Sequence, residues 1–184
     1  MKTPFLVGKN IYLRPLDLDD LRGNYINWLN DSEVCKYNSH HFFPYASLNA
    51  EEFIKQAYHR KDKLILAIIL KRKNIHIGNI SLQNIHYINR NAEFAILIGE
   101  KQFWGKGYAK EASFLIIKHG FEELNLHRIY CGTTSENIPM QRLAQYLGMK
   151  REGSRREAFF KHGEFIDILE FGILKDEFCK KFKL

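Results

Sequence analysis

Apolar residues in this chain fall into short solid runs divided by polar turns, with longer amphipathic stretches between some of them. The longest uninterrupted run, residues 64–70, has strand length and stays far below the roughly 20 residues a membrane helix needs. With residues 75–84 and 92–98 it predicts a three-strand meander, turning at 71–74 and 86–90. Ahead of the meander, residues 9–14 read as a strand. Residues 17–29 read as a helix with acidic residues in its first turn. Residues 47–58 read as a second helix, with Asn49 three positions before Glu52 as its start signal. After it come a helix at 106–124, a strand at 127–133 and a helix at 139–146 with Pro139 in its first turn. Strands at 150–160 and 165–174 complete the pattern. The predicted class is α/β with a mixed, largely antiparallel sheet, in a single domain over residues 1–184.

One junction carries chemistry. The apolar run Ala92-Glu93-Phe94-Ala95-Ile96-Leu97-Ile98 leads into Gln102-Phe103-Trp104-Gly105-Lys106-Gly107-Tyr108-Ala109 and then a helix. Strand, glycine-rich turn and helix is the layout in which main-chain N–H groups at a helix N-terminus hold a phosphate. Gly105 and Gly107 permit close approach and positive φ. Lys101, Lys106 and Lys110 add charge at the same mouth, so the implied ligand is an anion, a pyrophosphate foremost. A Walker loop is excluded because five residues, not four, separate Gly99 from Gly105, and Gly107 follows the lysine. The dinucleotide fingerprint fails because Lys110 stands where Gly or Ala is needed. The plain alternative is a glycine turn before an ordinary helix.

The pattern Gln/Arg-x-x-Gly-x-Gly/Ala, here Gln102-x-x-Gly105-x-Gly107, resembles the acetyl-CoA pyrophosphate loop of the GNAT acetyltransferases. The likeness extends over about residues 9–175. It includes Ile11-Tyr12-Leu13-Arg14-Pro15-Leu16, Trp28 to Val34, Asn125-Leu126-His127, Ser135-Glu136-Asn137, Leu143 to Met149 and Gly163-Glu164-Phe165-Ile166-Asp167. These segments are similar to the ribosomal-protein N-terminal acetyltransferase branch and the spermidine acetyltransferase branch. The resemblance implies acetyl-CoA as cosubstrate, held by the main chain of Ile96, Leu97 and Ile98 as an added strand. Around the phosphates it implies Gln102, Trp104, Gly105, Lys106, Gly107, Tyr108 and Ala109. It also gives Asn137 a cofactor contact, with a helix cap as the alternative.

Glu93 is the base expected from the same likeness, and independently a carboxylate inside an apolar strand is costly without a function or a partner. The alternative is an ion pair with Arg90, Lys101 or another surface cation on an edge. The family's tyrosine acid falls at Ala144, and Tyr146, two residues on, faces another direction. That leaves the leaving thiolate to another group or to water. The acceptor segment, residues 35–50, offers His40, His41 and Tyr45 and lacks the paired carboxylates a polyamine would want. Its histidines read equally as plain surface residues.

Charge and cysteines narrow the partners. The net charge of +7 is spread through short clusters, Arg60-Lys61-Asp62-Lys63 and Lys71-Arg72-Lys73 as solvated turns and Lys180-Lys181 as a frayed C-terminus. A polyanionic cofactor accounts for the excess as well as nucleic acid does, so no nucleic-acid partner is expected. Three scattered cysteines and eight scattered histidines give no disulfide frame and no metal site. After Met1-Lys2-Thr3-Pro4 only Phe5-Leu6-Val7 is apolar, so a cytoplasmic location without a membrane partner is the expectation. The function so read is acetyl transfer to a primary amine, on a peptide N-terminus or an amino sugar nucleotide, with a homodimer left open. The alternatives are a spermidine acetyltransferase, a non-catalytic acyl-CoA-binding regulator and an RNA-associated protein.

Overall fold

The computed structural model describes residues 3–59 and 61–184. Met1, Lys2 and Arg60, the first member of a basic cluster noted above, lie outside the described residues. The chain opens with β1 (Leu6–Val7) and β2 (Ile11–Pro15), followed by α1 (Tyr25–Leu29) and α2 (Ser47–His59). Next come β3 (Leu64–Leu70), β4 (Ile75–His86), β5 (Asn91–Ile98) and α3 (Tyr108–Glu122). It closes with β6 (Arg128–Thr134), α4 (Ile138–Leu147), β7 (Lys150–Lys161), β8 (Glu164–Leu174) and α5 (Lys175–Phe182). Among the described residues the strands form one sheet in the order β1-β2-β3-β4-β5-β6-β8-β7, antiparallel everywhere except β5 with β6.

Each face of the sheet buries a separate core. The larger joins Leu66, Ile68, Ile80, Phe94 and Ile129 to α3, α4 and α5 through Ile116, Phe121, Leu147 and Phe178. The smaller sets Tyr25, Trp28, Leu29, Ala50 and Ile54 of α1 and α2 on Ala67 and Ile69. β3 is apolar throughout because it meets both cores, the usual reason for an unbroken apolar strand.

Three sequence expectations are corrected. Residues 17–29 do not form one helix: a 3-10 turn (Leu18–Arg22) ends at Gly23, whose extended backbone separates it from α1. Asp20 drives the break, since its carboxylate is committed to the buried Arg14 guanidinium at 2.5 and 2.8 Å. Asn49 lies inside α2 rather than at its start, where its Oδ1 accepts from the N–H of Ala46 at 3.0 Å. The segment holding Lys180 and Lys181 is not frayed but helical, because Phe178 is fully buried against Phe121, Phe114 and Phe182. Among the described residues no helix is long and apolar enough to cross a membrane.

Candidate active site

The parallel pair decides where the site lies. β5 and β6 keep register only for Asn91 with Arg128, Ala92 with Ile129 and Glu93 with Tyr130. Beyond Glu93 they diverge, β5 continuing along β4 and β6 along β8. Antiparallel alternation tells which main-chain groups face the divergence. The Gly99 N–H donates to Ile77 O at 2.9 Å in the register that pairs Leu97 with Asn79, so odd-numbered residues of β5 bond to β4. Ile96 and Ile98 therefore turn their main chain toward β6, where the ladder has ended. Leu97 does not share that position: its main chain belongs to β4 and its side chain packs on the smaller core. The Trp104 indole N–H donates to Ile98 O at 2.7 Å, which ties the following loop to this strand end.

The loop has the geometry its glycines imply. Gly105 and Gly107 sit at φ +71° and +84°, the left-handed region, and a Cβ built on either would touch nothing within 4 Å. Gly107 is the residue from which α3 starts, so the free N–H groups of the first turn open beside it. Tyr108 meets Phe103 edge-on, and the Lys106 ammonium lies 5.5 Å from the Phe103 ring. Ala109 is half-buried in the first turn of α3, and Gln102 donates to Glu100 at 3.2 Å. Lys101 does not add free charge to this mouth, because Asp31 and Glu33 each hold its ammonium at 2.8 Å. Lys110 leans over Tyr146 at 4.7 Å. Instead a cleft of about 650 Å³ beside the loop gathers Lys9, Lys71, Arg72, Lys73 and Lys106 over Phe103. Among the described residues none of these five is paired with a carboxylate, so the 71–73 turn is part of a basic surface next to the helix start. Among the described residues no cluster of His, Cys, Asp or Glu has the makings of a metal site.

Glu93 points to the α1–α2 face of the sheet, with Ala95, Leu97 and, on β6, Tyr130. Neither expected cation reaches it: Arg90 bonds Asn125 at 2.8 and 2.9 Å, and Lys101 is engaged as described. Its one hydrogen-bond donor among the described residues is the Asn84 amide, at 2.9 Å. Burial first, then the Glu93 charge, raises the Tyr130 phenol above its ordinary value. Burial first, then Glu170 and Glu93, pushes the Cys131 thiol up to about 12. Cys131 thus stays protonated near neutrality and is unsuited to carry an acyl group.

The acceptor segment lies over the same face. Asn30 grips Tyr45 through both its N–H and its carbonyl, each at 2.8 Å, and Tyr45 packs on the smaller core. His40 meets the Tyr45 ring edge-on at 6.4 Å. His41 is exposed at φ +65°. Farther along, Phe42 meets Phe159 of β7 at 6.2 Å. The structure gives Asn137 its capping role, Oδ1 accepting from the N–H of Met140 at 3.2 Å, while its amide nitrogen makes no hydrogen bond among the described residues. Ala144 is buried in the larger core, and Tyr146 packs edge-on against Phe182 and under Lys110.

Two polar residues escaped sequence reasoning. Thr134 ends β6 with its Oγ1 buried and unpartnered among the described residues, and Lys161 is buried under the acceptor segment. Neither had a local signal, since a single threonine or lysine in a polar stretch reads as surface.

An acyl group carried on a long arm that ends in phosphates suits this layout: open strand edge for the arm, loop and helix start for the phosphates, and a carboxylate beside the reacting end. The class of protein is an acyltransferase drawing on coenzyme A. The Acetyltransferase (GNAT) domain model matches residues 10–150, and the chain belongs to that family. It is 30% identical over 173 residues to the N-acetyltransferase YnaD of Bacillus subtilis, covering 94% of this chain and 98% of that protein. To the spermidine N(1)-acetyltransferase of Vibrio cholerae it is 31% identical over 177 residues, covering 95% and 99%. The crystal structure of spermidine N-acetyltransferase from Vibrio cholerae in complex with CoA and spermine superposes with a TM-score of 0.84 at 28% identity, covering 92% of this chain and 98% of that one. The chain is an N-acetyltransferase that uses acetyl-CoA.

Proposed function

We propose that the acceptor is a primary amine whose remainder is neutral or anionic, a peptide N-terminus or an amino sugar nucleotide, and that Glu93 is its base. The carrying observation is a carboxylate without a cationic partner, standing where β5 and β6 part. In this reading the main chain of Ile96 and Ile98 borders the pantetheine arm, and the first turn of α3 with Gly105, Lys106 and Gly107 takes the pyrophosphate. Trp104, Tyr108, Ala109, Gln102 and the free amide of Asn137 shape the walls. Glu93 accepts the ammonium proton, directly or through one water, and so frees the nitrogen lone pair to attack the thioester carbonyl. A main-chain N–H at Ile96 or Ile98 stabilises the charge that grows on that carbonyl oxygen. The C–S bond breaks as C–N forms, and the proton the nitrogen sheds on becoming an amide passes through water to the departing thiolate, since Ala144 occupies the position of the family's tyrosine. The high thiol pKa of Cys131 favours direct transfer over an acyl-cysteine route.

A polyamine acceptor is the second reading, favoured by the activity named for the Vibrio cholerae relative. Against it, the carboxylates flanking the acceptor segment are partly engaged: the Lys101 ammonium holds Asp31 and Glu33, and Lys55 holds Glu51 at 2.6 Å. Released thiol, measured across N-terminal peptides, amino sugar nucleotides, amino acids and spermidine, decides between them. Peptides or amino sugar nucleotides should lead. Spermidine as the best substrate by a wide margin would refute the first reading.

A further inference from the structure

Lys161 ends β7 with 4% of its surface exposed. Its ammonium donates to three main-chain oxygens of one segment: Cys35 at 3.0 Å, Asn38 at 2.8 Å and His40 at 2.7 Å. It also lies 4.4 Å from the centre of the Phe42 ring. An ammonium has three protons, and here all three are used on the acceptor segment. No carboxylate pairs with it among the described residues, so the positive charge is held by carbonyl dipoles and an aromatic face alone.

That arrangement has a mechanical and an electrical side. Residues 31–46 form neither helix nor strand, so their path depends on side-chain anchors. Asn30 anchors the Tyr45 end to α1, and Lys161 anchors the Cys35–His40 stretch to the far hairpin. In the sheet order β4-β5-β6-β8-β7, a segment fixed at both places passes over the divergence of β5 and β6. Electrically, a buried charge is poorly screened by salt, and its field reaches the loop itself. Desolvation first and the Lys161 charge second lower the pKa of His40.

We propose that Lys161 is the positioning residue of the acceptor loop, and that its buried charge makes the mouth beneath discriminate against amines bearing further cations. This deepens the acceptor assignment and rests on it. A second cation about 8 Å away, at an effective dielectric of about 20, is disfavoured on the order of tenfold or more.

Two variants separate the mechanical from the electrical role. Lys161→Met removes both charge and donors while keeping a long stem, and Lys161→Gln removes the charge but keeps two donors. Amide hydrogen exchange over residues 35–45 should speed up by roughly tenfold in Lys161→Met and much less in Lys161→Gln. In both, kcat/KM for spermidine relative to a neutral-tailed primary amine should rise about tenfold, with KM for acetyl-CoA unchanged. Unchanged exchange in Lys161→Met overturns the positioning role, and an unchanged amine ratio in Lys161→Gln overturns the charge role. If the parent acetylates no amine at all, the acceptor assignment falls and takes the charge role with it, while the exchange measurement still decides whether Lys161 holds the loop.

Discussion

Replacing Gly107 by valine isolates the phosphate loop from the fold. Gly107 sits at φ +84°, where a β-branched residue is strained by about 1–2 kcal/mol. A Cβ there meets nothing within 4 Å, so no packing clash adds to that figure. For a chain of 184 residues the loss lowers Tm by roughly 2–8 °C, a fraction of the 5–15 kcal/mol typical of a folded domain. The chain therefore stays folded. Ligand binding suffers more, because the valine methyls stand where an anion must come within hydrogen-bond distance of the main chain. In a thermal melt with CoA at about 100 times its Kd, the parent should gain about 2.7 kcal/mol, some 5–11 °C. Gly107→Val should gain almost nothing. The turn between β7 and β8 supplies a matched control: Gly163 has φ +86° and equally open space at its Cβ. Gly163→Val should lose similar stability and keep the full CoA shift. A parent-sized shift in Gly107→Val would refute the loop assignment, and a lost shift in both variants would trace the effect to backbone strain.

Glu93→Gln should reduce kcat by about 10²–10⁴-fold at pH values well below the amine pKa, the usual contribution of a general base. The deficit should narrow as pH rises and the amine deprotonates unaided, with CoA affinity unchanged; a rate equal to the parent's at every pH would leave Glu93 a structural role. Burial raises the pKa of Asp20, but the Arg14 hydrogen bonds and the charge of His76 outweigh it, so the folded value lies below the ordinary one. Its stabilisation is accordingly complete above the unfolded pKa near 3.9 and is lost as pH falls through the folded value. Asp20→Asn should cost about 3–5 kcal/mol at pH 7 by leaving Arg14 buried without its counter-charge, and should flatten the acid side of the stability curve. Denaturant titrations from pH 7 to 2.5 test this, and an unaltered acid slope would count against the pair.

The sequence disclosed most where a residue's surroundings are local or periodic. β3 matches its prediction to the residue because both its faces are buried, and Glu93 stood out as a carboxylate in an apolar run. The glycine loop was legible because positive φ leaves a mark on composition. Failures came where distant partners decide. Asp20 looked like an ordinary helix-start residue until Arg14 claimed it, and Lys161 drew no notice because its partners precede it by more than a hundred residues. For α5 a signal existed, Phe178 and Phe182 one turn apart, but a short, mostly charged tail masked it.

The three-residue seam between β5 and β6 has a consequence for how the chain is made. Everything up to α3 can pair as it leaves the ribosome, since each strand from β1 to β5 meets its neighbour next in sequence. β6 cannot do so, because its long partner is β8, the last strand synthesised, and Phe178 follows later still. The gap proposed to admit the thioester is therefore closed on its far side only when translation is nearly complete. A nascent chain ending before β8 carries the glycine loop but only the β5 side of that gap and an unsupported β6.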